Sequence, residues 1–310
     1  MKGILRLVMA PRIAPRCVIF LIILVANSAH AIVTRHDVAD SRYRVPYESI
    51  PAVVDLPFEG HGTLIATRWV VTAAHAVAYM RSHTDYLYVT INGKRREVSR
   101  IIPYPDYDAF NATWKKLFEQ MKSGDAEAWK KRYDEAMPSM HDIALIELKS
   151  PVGDVQPIAF YRGSAEADQV TEIYGAGATG TDISGASDGA AHRGPLRRAE
   201  NRIISARGPW LRYVFDCGDA ALPLEGVIGG GDSGGPNLIK VNGSWTLAGI
   251  NHGLDGSLED VLNTRSGKFR QGVCGQTFAS TRVSFYAHWI DEVTRETPGV
   301  GRENSRGGTP

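Results

Sequence analysis

Short apolar runs, each ended by turn residues, recur along most of the chain and restrict it to folds built from antiparallel strands. Runs of this kind lie at 63–66, 86–91 and 245–250, and the second is followed by Asn92 and Gly93, a pair typical of hairpin turns. Further examples are 142–148, 170–174 and 213–215. Strands with this length and spacing are typical of all-β barrels or sandwiches. Because 43% of the residues are hydrophobic and 22% are charged, the composition is that of a globular protein with a sizeable core.

Two segments depart from the strand pattern. Residues 106–137 are rich in Lys, Glu, Ala and aromatic residues, with Gly124 near the middle, and predict a helical hairpin inserted between strands. Residues 283–294 predict a terminal helix, because its apolar residues fall on one helical face. After this helix, residues 297–310 offer little apolar surface to bury, so we expect a disordered tail.

The first 31 residues have the pattern of a signal peptide. Four basic residues and no acidic residue precede an apolar run over 17–26, and a small-x-small site ends at Ala31. Ten residues reach only about 15 Å as a helix, about half of a bilayer core, so a transmembrane span is the weaker interpretation. We therefore expect export, with no stable membrane anchor after cleavage. The formal net charge of +1 gives no indication of nucleic-acid binding.

The cysteine content fits an exported protein. Of three cysteines, Cys17 lies in the predicted signal peptide, which leaves Cys217 and Cys274 in the mature chain. An even pair in an oxidising compartment favours a disulfide between them, and two separate buried thiols are the alternative.

The most specific local pattern is a serine enclosed by glycines at 231–236, Gly-Asp-Ser-Gly-Gly-Pro. Glycines permit a sharp turn with accessible backbone N–H groups, which is what an oxyanion hole requires. Serine becomes a nucleophile only when a base accepts its proton, and the base is usually held by a carboxylate. His75, at the end of the run 69–75, and Asp142, at the start of the run 142–148, are the candidates for base and carboxylate.

Two other motifs overlap these segments and fit their context poorly. Residues 231–235 also match G-x-S-x-G, but the nucleophile elbow of α/β-hydrolases precedes its acid and histidine in the chain, whereas His75 and Asp142 come first here. Residues 175–180 match the dinucleotide pattern G-x-G-x-x-G, but the residues that follow do not predict the helix that this motif needs. No cofactor and no metal are expected.

The segments Thr72-Ala73-Ala74-His75, 142–145 and 231–236 together resemble, in this chain order, the trypsin-like (chymotrypsin-fold) serine proteases. The loop at 175–180 and the closing helix extend the resemblance over nearly the whole mature chain. It implies two packed antiparallel six-stranded β-barrels, a C-terminal α-helix and a helical insertion before the catalytic aspartate. The expected domain spans 32–296, with the first barrel at about 32–155, the second at about 156–282 and the helix at 283–294.

The resemblance implies a role for each motif residue. Ser233 is the nucleophile, His75 the general base and then acid, and Asp142 the carboxylate that orients the histidine. The backbone N–H groups of Gly231 and Ser233 form the oxyanion hole. In this family a new N-terminal ammonium is buried against the aspartate that precedes the serine. Here the pair is Ile32 and Asp232, and signal cleavage after Ala31 would itself free Ile32.

The substrate pocket is expected around Val227, Gly229, Asn251 and His252. Val227 stands six residues before the serine, where family members that cut after Arg or Lys have an aspartate, so apolar or small residues are the expected cleavage preference. Glu225, close by, either lines the pocket or faces solvent. The segment 248–253 matches the family strand that pairs with the substrate backbone, with Asn-His-Gly in place of Ser-Trp-Gly.

The expected function is that of a secreted or periplasmic serine endopeptidase acting on proteins or peptides. The small number of cysteines favours a bacterial-type member of the family. A catalytically silent homologue that serves as a binding module, and an esterase with the same triad, are the alternatives.

Overall fold

A computed structural model describes residues 32–121, 124–187 and 194–295 of the 310-residue chain. The predicted signal peptide and the predicted tail at 297–310 lie outside these residues. The strands are β1 Ile32–Thr34, β2 Val53–Asp55, β3 His61–Ala66, β4 Trp69–Thr72, β5 Tyr88–Ile91, β6 Lys94–Pro103, β7 Ala144–Leu148, β8 Val170–Gly175, β9 Thr179–Thr181, β10 Gly185–Ala186, β11 Arg197–Arg207, β12 Trp210–Val214, β13 Gly226–Val227, β14 Pro236–Val241, β15 Ser244–Leu254 and β16 Thr277–Arg282. The α-helices are α1 Ala78–Ser82, α2 Tyr107–Met121, α3 Ala126–Ala136, α4 Leu258–Arg265 and α5 Ala287–Arg295.

The first barrel closes six antiparallel strands in the order β2-β3-β4-β7-β6-β5. Its hairpin between β5 and β6 turns at Asn92 and Gly93, both with positive φ, which confirms the hairpin expected from the sequence. Inward-facing aliphatic residues such as Val54, Leu64 and Ile146 fill the barrel and are fully buried. Closure leaves no sheet edge exposed around this core.

The second barrel closes in the order β11-β12-β16-β15-β14-β8. Together the two barrels, with helix α5 at the end of the domain, confirm the predicted all-β architecture. The large core cluster includes residues of both barrels, among them Val71 and Leu145 of the first and Leu238 and Phe278 of the second. The two barrels therefore pack against each other along a continuous apolar seam.

A small four-stranded sheet, in the order β10-β9-β1-β13, lies beside the second barrel. Strand β1 runs parallel to β9 and antiparallel to β13, so Val33 pairs with both Gly180 and Val227. Ile32 and Val33 are completely buried. The first residues of the described chain are thus held inside the second half of the molecule.

Helices α2 and α3 form the helical hairpin expected between β6 and β7. Asp125 caps α3 by accepting a hydrogen bond from the backbone N–H of Glu127. Trp129 and Tyr133 of α3 are buried, and the hairpin contacts helix α4 from the loop between β15 and β16. Helix α4 was not expected from the sequence.

The described part of the chain contains a disulfide between Cys217 and Cys274, which confirms the predicted pairing. It joins the segment after β12 to the segment before β16. No helix in the described ranges combines the length and apolar character needed to cross a membrane.

Candidate active site

The loop between β13 and β14 carries Ser233 at the seam of the two barrels. Gly231 and Gly234 have φ values of +87° and +79°, which favour glycine. A methyl group at Gly234 would lie 2.2 Å from the carbonyl oxygen of His61, so the close approach to β3 also requires glycine. The backbone N–H of His61 donates to the carbonyl of Ser233 over 2.7 Å. The serine loop belongs to the second barrel but is hydrogen-bonded to the first.

His75 follows β4 and is oriented by a buried carboxylate. Its Nδ1 lies 2.6 Å from Oδ2 of Asp142, and its backbone N–H donates to Oδ1 of Asp142 over 2.9 Å. Asp142 is fully buried, whereas the His75 side chain is 37% exposed. Burial alone would lower the pKa of His75, but the charge and hydrogen bond of Asp142 outweigh it and raise that pKa. This arrangement fixes Nδ1 as the protonated nitrogen and leaves Nε2 as the basic one.

A second histidine shares the same carboxylate oxygen. The Nδ1 atom of His252, on β15, lies 2.6 Å from Oδ2 of Asp142, and its ring stands nearly perpendicular to that of His75 at a centroid distance of 5.6 Å. Burial would raise the pKa of Asp142, but the charge of His75 and the hydrogen bonds from both histidines hold it well below its usual range. The sequence placed His252 on the substrate strand and gave no indication of this contact.

These three side chains are also the grouping in the described residues that could hold a metal ion, since their ligand atoms lie within 4.8 Å of one another. The two imidazoles and the carboxylate already satisfy each other through hydrogen bonds. A metal bound between them would take Nδ1 of His75 away from Asp142 and so remove the orientation of its basic nitrogen. The arrangement therefore favours proton transfer over metal binding.

The backbone around Ser233 leaves two donors available. Among the described residues, neither the N–H of Gly231 nor that of Ser233 donates a hydrogen bond within the chain. The side-chain amide of Asn251 supports the loop by donating to the carbonyl of Asp232 over 3.0 Å. Asn251 is fully buried and so lies beneath the loop. Two free N–H groups, two positions apart on a supported loop, can stabilise an oxyanion.

Asp232 is a buried carboxylate surrounded by backbone donors. Oδ2 accepts from Gly229 over 2.8 Å and from the backbone N of Ile32 over 3.1 Å, and Oδ1 accepts from Gly177 over 2.7 Å. Burial raises the pKa of Asp232 to about 6, although these three hydrogen bonds act to lower it. The structure thus brings together Ile32 and Asp232, which are 200 positions apart.

Val227 and Gly229 lie away from the open surface beside His75. Val227 is fully buried and pairs with Val33, and a side chain at Gly229 would meet the carbonyl of Ala178 at 2.0 Å. Glu225 is also fully buried, so it does not face solvent. Burial raises the pKa of Glu225 to about 8, against the lowering effect of backbone hydrogen bonds from Leu222 and Asp216.

Two cavities flank His75. The first, of about 510 Å³, is lined by Ser233, by Phe58 and Glu59 from the loop between β2 and β3, and by Tyr79 of α1. The second, of about 580 Å³, lies between β15, α4 and the helical hairpin, and both His75 and His252 line it. Ser233 lines the first cavity only, whereas His75 lines both.

Two closed six-stranded barrels, with histidine, aspartate and serine at the seam between them, define the architecture of trypsin-like serine proteases. The sequence model of the trypsin family, described as "Trypsin", matches residues 40–261. The chain therefore belongs to the trypsin family.

Individual relatives agree with this assignment. Mouse serine protease 56 is 26% identical over 271 residues, which is 81% of this chain and 37% of that protein, so the chain spans about a third of the relative's length. The structure of neuropsin, a serine protease of mouse brain, superposes with a TM-score of 0.54 at 19% identity and covers 81% of this chain and 98% of the neuropsin chain. At this identity, the similarity to neuropsin shows the fold alone.

Proposed function

We propose that the chain is a secreted serine endopeptidase in which Ser233, His75 and Asp142 act as the catalytic triad. The observation that carries the proposal is the 2.6 Å contact between Nδ1 of His75 and the buried Asp142, at the seam that also carries Ser233. Orientation by a buried carboxylate is what makes a histidine an effective base for a serine hydroxyl.

The reaction proceeds through an acyl-enzyme. Nε2 of His75 takes the hydroxyl proton as Oγ of Ser233 attacks the carbonyl carbon, and the N–H groups of Gly231 and Ser233 stabilise the resulting oxyanion. His75 then gives the proton to the leaving amine as the peptide bond breaks. Water, deprotonated by His75, attacks the ester and releases the acid, and the serine recovers its proton. Asp142 stabilises the imidazolium throughout.

A peptide substrate is favoured over a simple ester by the edge of β15. Strand β14 begins at Pro236, and Pro236 pairs with Ile250 of β15. On the side of the serine loop, the part of β15 that follows Asn251 therefore has no partner strand among the described residues. An extended peptide can add to this edge through backbone hydrogen bonds. Cleavage after an apolar or small residue remains our proposal from the sequence position of Val227; because Val227 itself is fully buried, it would act only by placing no carboxylate there and not by direct contact.

Activation follows from removal of the signal peptide after Ala31. The new ammonium of Ile32 would lie where its backbone nitrogen now lies, 3.1 Å from Oδ2 of Asp232. A buried ammonium and a buried carboxylate each need the other, and their pairing would fix the adjacent oxyanion loop. The buried β1 strand supports this proposal, since Ile32 is already seated beside the loop.

Export to the periplasm or the cell exterior is supported by the Cys217–Cys274 disulfide, because disulfides persist in oxidising compartments. We also propose that the enzyme is a bacterial-type member of the family, because the chain has few cysteines. We further propose one peptidase domain at 32–296.

Labelling of the mature chain with a fluorophosphonate tests the proposal. We expect stoichiometric labelling of the wild type, none of Ser233→Ala, and unchanged labelling of the control Ser244→Ala, which alters an exposed serine on β15. Absence of Ser233-dependent labelling would favour the silent binding module. Labelling with ester turnover, but no cleavage of a peptide library, would favour the esterase.

A further inference from the structure

His252 is a second imidazole on the carboxylate that orients His75. Its Nδ1 atom lies 2.6 Å from Oδ2 of Asp142, the same distance as Nδ1 of His75 from that oxygen. An ionised carboxylate only accepts hydrogen bonds, so both Nδ1 atoms carry a proton in this arrangement. His252 therefore donates to the very oxygen that holds the general base.

Asp142 receives support from outside His75 through this contact. Its Oδ1 accepts from the backbone N–H of His75 over 2.9 Å, and its Oδ2 accepts from the two imidazoles. Two of these three donors belong to the histidine that Asp142 has to orient, and the third is His252. Because the Asp142 side chain is fully buried, bulk water does not replace a missing donor.

His252 is itself held in place, so its N–H donor has a fixed position. Its ring packs against the indole of Trp210 with the centroids 4.7 Å apart, and its side chain is 12% exposed. Trp210 is 1% exposed, and its indole N–H donates to the carbonyl of Met137 over 2.7 Å. Packing and hydrogen bonds of this kind lock a side chain that supports a functional group.

The donor matters in the step in which His75 takes the proton of Ser233. The imidazolium formed in this step is stabilised by the charge of Asp142, and the basic nitrogen points at the serine only while Oδ2 holds Nδ1. A displacement of about 0.5 Å in such a supporting group is enough to impair catalysis. A carboxylate held by His252 from a separate strand keeps its place while His75 gains and loses its proton.

We infer that His252 is a positioning residue for the triad, which fixes Asp142 through its Nδ1–H. The inference rests on the proposed endopeptidase function and deepens it. It predicts that catalysis requires an N–H donor at the place of Nδ1, and not an imidazole ring as such. Loss of the donor should lower kcat about 10- to 100-fold with little change in KM, because this nitrogen faces Asp142 and not the substrate.

Three substitutions at position 252 separate the donor from the ring. His252→Asn keeps a donor in place, because the amide nitrogen of asparagine is bonded to Cγ as Nδ1 of histidine is. His252→Gln is closer to histidine in size but moves the amide one bond farther out, and His252→Ala removes the donor. The matched control His288→Ala removes a histidine of α5 whose side chain is 84% exposed. Urea unfolding checks that each variant is folded.

Steady-state kinetics, corrected for active sites by fluorophosphonate labelling taken to completion, compare these variants. We expect kcat of His252→Asn and His288→Ala within about threefold of the wild type, and kcat about 10- to 100-fold lower in the Ala and Gln variants at position 252. An unimpaired Ala or Gln variant, or an Asn variant as impaired as Ala, would overturn the inference. A higher KM with unchanged kcat would also overturn it, because His252 would then contact the substrate from the cavity that it lines.

A spectroscopic measurement in the Ser233→Ala background does not depend on turnover. NMR observes the Nδ1–H proton of His75, which exchanges slowly with water only while the carboxylate holds it. We expect this signal to persist with His or Asn at position 252 and to be lost by exchange with Ala or Gln there. An equally persistent signal in every variant would overturn the inference. Absence of fluorophosphonate labelling in the wild type would contradict the protease function alone.

Discussion

A single residue left before Ile32 is expected to destabilise the folded chain at neutral pH. Burial raises the pKa of Asp232 from 3.8 to about 6, so an unpaired Asp232 carboxylate costs the folded state about 3 kcal/mol relative to the unfolded state at pH 7 and above. Since the folded pKa is the higher one, this loss is absent below about pH 4 and complete only above pH 6. A free ammonium at Ile32, 3.1 Å from Oδ2, would offset it.

Chains starting at Ile32 and at Ala31, each made by removal of a fusion partner, provide the comparison. Both carry Ser233→Ala so that self-digestion does not interfere, and urea unfolding is measured between pH 4 and pH 8. We expect the chain starting at Ile32 to be more stable by about 3 kcal/mol at pH 7, and the difference to shrink to near zero at pH 4.

Asp232→Asn is the matched control, because it removes the charge and keeps the shape of the side chain. In this background the pH dependence of the difference should disappear. A difference below 1 kcal/mol at pH 7, or one of equal size at pH 4 and pH 7, would refute the proposed ammonium–carboxylate pair. With Ser233 restored, full labelling of the chain that starts at Ala31 would refute its role in activation.

Three further predictions follow from contacts in the structure. His252→Ala should lower kcat about 10- to 100-fold with little change in KM, because Asp142 loses a donor to its charged form. Steady-state kinetics and a pH profile compared with wild type would reveal a merely structural effect if both parameters changed together. Gly234→Ala should abolish folding or labelling, since its methyl group would meet a backbone oxygen at 2.2 Å; normal labelling would contradict this close approach. Joint replacement of Cys217 and Cys274 by Ser should cost about 4 kcal/mol in urea unfolding, as the disulfide closes 57 residues, and an unchanged midpoint would refute this.

The architecture was predictable because several local patterns agree with one fold. Turn residues separate short apolar runs, and the hairpin at Asn92 and Gly93 turns as those residues require. The proximity of His75 and Asp142, however, was not evident from periodicity, since 67 residues separate them. It came from the resemblance, which supplies the order in which strands close into barrels.

The contact between His252 and Asp142 depends on a feature that the sequence does not reveal. The pairing of β15 with β16 shifts between Asn251 and Gly253, and this irregularity changes the direction of the side chains around it. Asn251 is consequently buried under the serine loop, and His252 reaches the carboxylate. A bulge position is set by the packing of both barrels and has no local signature here.

Helix α4 had a signature that could have been recognised. Ser257 and Asp260, three residues apart and followed by the apolar Val261, form the capping box seen in the structure. The mostly polar composition of the segment hid this signal, because the helix buries few side chains against the core. Helix α4 contacts the helical hairpin, and these two insertions are far apart in the sequence. No local pattern predicts such a contact.

The hydrogen bond from His61 to the carbonyl of Ser233 makes the serine loop sensitive to the docking of the two barrels. The loop is covalently part of one barrel, yet the 2.7 Å bond that positions it comes from a strand of the other. If the barrels separate slightly on heating, the serine loses its alignment while each barrel keeps its own sheet. We therefore expect enzyme activity to be lost at a lower temperature than secondary structure. The loss of activity would then report the separation of the two barrels, not their unfolding.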